Sequence, residues 1–229
     1  MGTKLSGYAL KRGQANLPVS SAHGRVLETR QAIVAAARDV LIEKGYNATR
    51  IEDIVARAEI SRPTFYRYFE DKFEVAKAYH AQSRSNFIHP WRALGARDFR
   101  GLESVAAWLD QLFDAYASNR EELVVWAEMS SVEPGYLLRM PRQMPELIEK
   151  LAETIPAFAR AQTESPGASS FKREAGRVWV EAYLLLEHLS YTCTWMALGK
   201  QQITRQQSVE YFAEQVSRFI ERYDDIGTR

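Results

Sequence analysis

The chain has 229 residues, 46% hydrophobic and 26% charged, with a formal net charge of +1. That is the make-up of a globular protein with enough chain for one large or two small domains. No apolar run approaches the roughly 18 residues of a membrane-spanning helix, so none is expected. No apolar segment at the N-terminus reads as a signal peptide, and a lone Cys193 rules out an internal disulfide, so a reducing cytoplasm is the expected location.

Residues 1–24 are rich in Gly, Ser and Ala and lack periodicity, which predicts a flexible tail. The near-zero net charge hides a split. Residues 1–72 hold 12 Lys/Arg against 8 Asp/Glu, and the remainder 18 against 21. The excess lies in residues 1–25 (Lys4, Lys11, Arg12, Arg25), since residues 26–72 balance at eight against eight. The tail therefore reads either as a plain terminus or as a basic arm on nucleic acid. Any nucleic-acid reading must rest on where charges sit, not on a basic domain.

A first helix is predicted from about Leu27 to Lys44, with Ile33, Ala37, Val40 and Leu41 on one face and Gly45 as its stop. Thr49 and Glu52 have capping-box spacing for a short second helix ending near Ala58. Ser61 is a plausible cap for a third, with Pro63 in its first turn. That third helix, Ile60-Ser61-Arg62-Pro63-Thr64-Phe65-Tyr66-Arg67-Tyr68-Phe69, is too short and polar for a core helix. Phe65 and Phe69 anchor one side and leave a hydrogen-bonding face turned outward. Asp71 and Glu74 repeat the capping spacing for a long fourth helix, which Pro90 is expected to stop after His89.

The remainder reads as helix throughout: about 102–118, 120–131, 144–162, 171–198 and 204–223. Turn signals separate them at Pro134-Gly135, Pro141, Ser165-Pro166-Gly167 and Gly199-Lys200, and Pro156 should kink or split 144–162. Leu185, Leu189, Val209, Phe212, Val216 and Phe219 form stripes that suit a four-helix dimer interface. The expected fold is all-α, divided into a tail (1–24), a helix-turn-helix unit (25–72) and a helical domain (73–229).

Gly45-Tyr46, Thr49-x-x-Glu52-Asp53-Ile54, then Ser61-Arg62-x-Thr64-x-Tyr66-x-Tyr68-Phe69 and Lys72 resemble the N-terminal domain of the tetracycline-repressor (TetR) family. The resemblance covers about residues 27–75. It implies a three-helix DNA-binding unit joined by a long helix to a ligand-binding and dimerising helical domain. At Glu59 the chain departs from the family, which usually has glycine there for a left-handed turn; a side chain costs about 1 kcal/mol in that conformation.

The candidate DNA contacts are Thr49, Arg50, Ser61, Arg62, Pro63, Thr64, Tyr66, Arg67, Tyr68 and Lys72. Arginine offers a planar fork for guanine or phosphate, Thr64 a hydroxyl or methyl for a base, and Tyr66 and Tyr68 hydroxyls for phosphate. Lys72 matches a family phosphate contact. Thr49 also reads as a cap alone, and Tyr68 as packing between the first and fourth helices.

Candidate ligand residues are Phe87, Trp91, Trp108, Phe113, Trp126, Met129, Tyr183, Glu187, His188 and Tyr191, because so many large, adaptable side chains can line an apolar cavity. The same residues also read as core, and His188 as core or interface. No catalytic or metal-binding spacing is present, so neither an enzyme nor a cofactor is expected. The expected partners are double-stranded DNA, a second copy of the chain and a small apolar effector that releases DNA, with no membrane. The alternative is a DNA-bound structural or division-control protein that recruits a protein partner.

Overall fold

A computed structural model describes residues 19–95, 101–133, 143–166, 175–200 and 202–224. The predicted tail up to residue 18, the turns at Pro134-Gly135 and Pro141, and positions 171–174 lie outside them. The helices are α1 (Val19–Ala48), α2 (Ile51–Arg57), α3 (Arg62–Tyr66), α4 (Lys72–Gly95), α5 (Leu102–Ser118), α6 (Arg120–Val132), α7 (Gln143–Ala152), α8 (Pro156–Thr163), α9 (Arg177–Ala197) and α10 (Arg205–Asp224). There is no strand among the described residues, and none of these helices is long and apolar enough to cross a membrane.

Helix α1 starts earlier than the pattern predicts, at Val19. It buries Ile33, Ala37, Val40 and Leu41 as expected. Gly45 breaks it with φ 79°, ψ 165°, a left-handed conformation open to glycine without a Cβ penalty. Helix α2 is not capped by Thr49. Its N-cap is Arg50, whose N–H donates to the Asp53 carboxylate at 2.9 Å. The Thr49 hydroxyl turns back instead and donates to the Gly45 carbonyl at 2.6 Å.

Helix α2 ends in a Schellman turn, in which the Ile60 N–H reaches Val55 O at 3.1 Å and the Glu59 N–H reaches Ala56 O at 3.3 Å. That geometry forces Glu59 to φ 54°, the only positive-φ residue other than glycine among those described. Ser61 caps α3, accepting from the Thr64 N–H. Phe65 and Phe69, 5.9 Å apart, are buried under it. They join a core that takes residues from α1 and α2, Val75, Ala76 and Tyr79 of α4, and Val125 and Met129 of α6.

Helix α4 does not stop at Pro90 but runs through it to Gly95. An interior proline costs about 3 kcal/mol. Trp91 and Leu94, directly beyond it, are both fully buried, and each contributes roughly 1.5–3 kcal/mol. The Pro90 carbonyl also accepts from Trp108 Nε1 at 3.1 Å. Packing therefore outweighs the local stop.

Pro156 does split its segment, into α7 and α8. Helix α9 begins after its N-cap Gly176, inside the predicted 171–198. A second core unites α5, α7, α8, α9 and α10 with the C-terminal half of α4. Arg205 clamps α10 to α5 through Asp110 (2.9 Å) and Asp114 (2.6 Å). The predicted dimer stripe is misplaced: Leu189, Val209, Phe212, Val216 and Phe219 are buried within the chain, and Leu185 is partly buried against the same core. The apolar side chains that α9 and α10 leave exposed are Val180, Leu184, Tyr191 and Tyr211.

Candidate nucleic-acid interface and cavity

The turn around Glu59 and the buried Phe65 and Phe69 fix which way α3 faces. Ser61, Arg62, Pro63, Tyr66 and Arg67 are exposed, with Tyr66 at 46%, while Thr64 and Tyr68 are half-buried. Two arginines, a proline and a tyrosine thus share one outward surface with the Thr64 hydroxyl, which lies 2.9 Å from Ser61 Oγ. Arg50, also exposed, stands at the start of α2. Arg62 is held by Glu52 of α2 at 2.7 Å and donates to the Tyr66 hydroxyl at 3.3 Å. An exposed pair of this kind contributes at most about 1 kcal/mol, so an incoming phosphate or base displaces it readily. Arg67 lies over the Tyr68 ring, 5.4 Å from its centroid.

Two predicted contacts have other duties. Thr49 is only 2% exposed and spent on the Gly45 carbonyl, so its side chain positions the α1–α2 turn and does not face outward. Lys72 donates to the carbonyls of Tyr46 (2.6 Å) and Thr49 (2.9 Å) and sits 4.2 Å from the centre of the Tyr46 ring. Burial holds its pKa below the ordinary lysine value, with Glu128 opposing. Of its three ammonium hydrogens, these bonds leave one for an outside acceptor. Burial, with Glu133 and Asp71 adding, pushes the Tyr46 hydroxyl up to about 12.

The second site lies in the helical bundle. A cavity of about 540 Å³ opens between α4, α5, α6, α7 and α9, with Phe87, Tyr116, Trp126, Tyr191 and Trp195 as its aromatic walls. Leu123, Ala127, Met144 and Leu198 complete the apolar lining, and Ser130, Glu187, Ser190 and Thr194 provide polar groups. Four predicted ligand residues are therefore brought together: Phe87, Trp126, Glu187 and Tyr191.

The other six are elsewhere. Trp91, Trp108 and Phe113 are solid core of the bundle, and Met129 belongs to the core of the N-terminal helices. Tyr183 stacks on Trp179 at 4.9 Å. His188 points across α9 toward Phe212 at 5.2 Å. Trp91, Trp108, Phe113 and Met129 fill space against neighbours, while His188 is exposed and faces the groove between α9 and α10. Tyr116, Trp195, Ser190 and Thr194 were missed. The spacing of 187, 191 and 195 along α9 is the signal that would have found Trp195; Tyr116 enters from another helix and has no such mark.

Helix α6 faces both sites. Leu123, Trp126, Ala127 and Ser130 line the cavity, while Val125 and Met129 sit in the N-terminal core. The buried Glu122 accepts from the Tyr79 hydroxyl of α4 at 3.0 Å. Glu128 accepts the Asn47 N–H at 2.9 Å and lies against Gly45, where a Cβ would meet its Oε2 at 2.9 Å. His80 of α4 packs on Trp126, 4.3 Å between ring centres. Its pKa is lowered from 6.5 to about 4, by burial first and then by Arg84.

Comparison with known proteins points the same way as this geometry. Residues 33–79 match the family described as bacterial regulatory proteins, tetR family. A DNA-binding transcriptional repressor, TetR, of Mycobacteroides abscessus is 29% identical over 153 residues, 66% of this chain and 68% of the relative. The transcriptional activator FasR of Mycolicibacterium smegmatis is 29% identical over 113 residues, 48% of this chain and 52% of the relative. Curated relatives are matched over about a quarter to about two thirds of their own length. A solved tetR-family regulator from Pectobacterium atrosepticum superposes with a TM-score of 0.56, covering 87% of this chain and 96% of that one at 17% identity. At that identity the likeness establishes the fold alone.

Proposed function

Because the chain belongs to the tetR family of bacterial regulatory proteins, whose members are transcriptional regulators and not enzymes, we propose that it is a cytoplasmic repressor that binds a palindromic operator as a homodimer and is released by a small, mostly apolar molecule. The observation that carries this reading is the outward surface of α3, where Arg62, Thr64, Tyr66 and Arg67 stand over the buried Phe65 and Phe69. Arg62, Thr64 and Arg67 are assigned to base edges, and Arg50, Ser61, Pro63, Tyr66, Tyr68 and the remaining donor of Lys72 to the backbone.

One five-residue helix touches few base pairs, so specificity needs two copies related by a twofold axis. The exposed Val180, Leu184 and Tyr211 supply an apolar face for that contact. The cavity supports release by an effector over the alternative of a structural protein that recruits a protein partner. Phe87 and Trp126 border the cavity on α4 and α6, the two helices that also enter the N-terminal core. A ligand that prefers one arrangement of these helices shifts the spacing of the two α3 helices. A tenfold loss of DNA affinity takes about 1.4 kcal/mol of such preference.

Selection of bound DNA from a random pool tests the first half. The expected product is a symmetric site whose half-sites lie about one helical turn or more apart. An asymmetric site, together with a monomer in sedimentation at micromolar concentration, overturns the reading.

A further inference from the structure

The cavity's polar groups differ sharply in how far they are already engaged. The Tyr116 hydroxyl receives Trp91 Nε1 at 3.3 Å and pairs with Ser190 Oγ at 3.1 Å. The Thr194 hydroxyl donates to the Ser190 carbonyl at 2.9 Å. These groups have little left for a visitor, whereas Trp126 Nε1 on the opposite wall is buried with no hydrogen-bond partner among the described residues. Glu187 is different: it is exposed and forms no ion pair among the described residues. Glu181, less than two turns earlier on the same helix, is held by Arg177 at 2.8 Å, Arg222 at 3.3 Å and the Tyr223 hydroxyl at 2.9 Å. No Lys, Arg or His is among the described lining residues.

Glu187, Tyr191 and Trp195 follow at i, i+4 and i+8, so the carboxylate begins an aromatic stripe on one face of α9. Across the cavity stands a second aromatic wall, with Phe87 4.4 Å from Trp126 and 5.4 Å from Tyr116 between ring centres. Ring faces and a carboxylate both attract positive charge, the rings through their quadrupole. An anionic head would meet Glu187 with no countercharge, and a neutral ligand could use the free Trp126 Nε1–H but would leave the Glu187 charge unpaired. We infer that the effector is a hydrophobic organic cation, an aromatic or bulky alkyl ammonium-type molecule whose charge sits near Glu187 and whose apolar groups lie between the two aromatic walls. This rests on the effector reading above and gives that site its chemical class.

Three probes of similar size and different charge test it on the full-length protein: tetraphenylphosphonium, tetraphenylborate and neutral triphenylphosphine oxide. Binding is followed by calorimetry and tryptophan quenching, and release of the selected operator by fluorescence anisotropy. The phosphonium is expected to bind at least tenfold more tightly than either other probe. Glu187→Gln should narrow its advantage over the oxide to less than threefold, and Glu187→Asp should keep the preference. Equal or tighter binding of the borate or the oxide, no binding of the phosphonium, or a preference that survives Glu187→Gln overturns the inference. If the oxide or borate binds and frees DNA, release by an effector stands and the cationic class falls. If the phosphonium binds selectively while DNA stays bound, the cation site stands and the release mechanism falls.

Discussion

The N-terminal helices and the bundle behind them use large side chains in opposite ways. Around α3, aromatics fill space: Phe65 is fully buried, Phe69 nearly so, and by anchoring one side of a short helix they set Arg62, Tyr66 and Arg67 outward. In the bundle, the Phe87–Trp126 pair and the Tyr191–Trp195 pair stand apart from each other and leave about 540 Å³ between them. The first region works by presenting atoms, the second by withholding them. Presentation tolerates little change in the support beneath it. A void depends on several helices at once and no single residue owns it.

The sharpest attempt to break this contrast is Phe65→Ala. Removing a fully buried aromatic should cost about 3–5 kcal/mol and abolish operator binding, while the bundle keeps its helicity and its probe binding. Thermal melts by circular dichroism, paired with DNA titration, check it; retained operator affinity would mean α3 is not held from below.

Arg67→Ala should leave the fold intact and lower operator affinity by about 1–3 kcal/mol per half-site, with a smaller effect on random DNA. Anisotropy titrations on both DNAs decide whether Arg67 reads sequence or only charge.

His80 probes the seam between the two regions. Its folded pKa of about 4 lies below its ordinary 6.5, so the unfolded chain binds more protons between those values. Stability is therefore full above pH 6.5 and lost as the pH falls toward 4, by about 1–2 kcal/mol at pH 5. His80→Phe should flatten the melting temperature between pH 7 and 5. An unchanged acid slope would place the titration elsewhere.

The smallest effect concerns the turn. Glu59→Gly should stabilise the protein by about 1 kcal/mol, because the left-handed φ of 54° then carries no side-chain penalty. A lower denaturant midpoint would contradict that account.

Legibility in the sequence followed the same divide. Gly45, Ser61, Phe65 and Pro156 act through neighbours a few residues away, and their roles could be read directly. Thr49 reads as the cap of α2 from its spacing to Glu52, but Arg50 holds that place: its N–H donates to Asp53, which Lys44 of α1 also holds at 2.8 Å, and that bond spans two helices. At Pro90 the local stop lost to burial of Trp91 and Leu94, which partners distant in sequence provide. The stripes on α9 and α10 showed that one face must be covered, but not whether by this chain or a copy. Among the cavity candidates, aromatic content identified the right region. It could not separate Trp91 and Trp108, packed in core, from Trp126 and Trp195 at the edge of a void, since that depends on how α4, α5, α6 and α9 meet.

Gly45 and Glu128 bear on how freely such a protein can be recombined. The carboxylate of the helix that walls the cavity occupies the space over the glycine that ends α1 and takes the Asn47 N–H. A reading head exchanged for that of a relative keeps this joint best if the incoming chain has glycine there: a Cβ would meet Glu128 Oε2 at 2.9 Å and push the carboxylate aside, and the φ of 79° itself disfavours a side chain. A bundle without the acid leaves the incoming N–H without its acceptor. Head and bundle are thus matched parts, and the joint between them bears on which chimeras hold together.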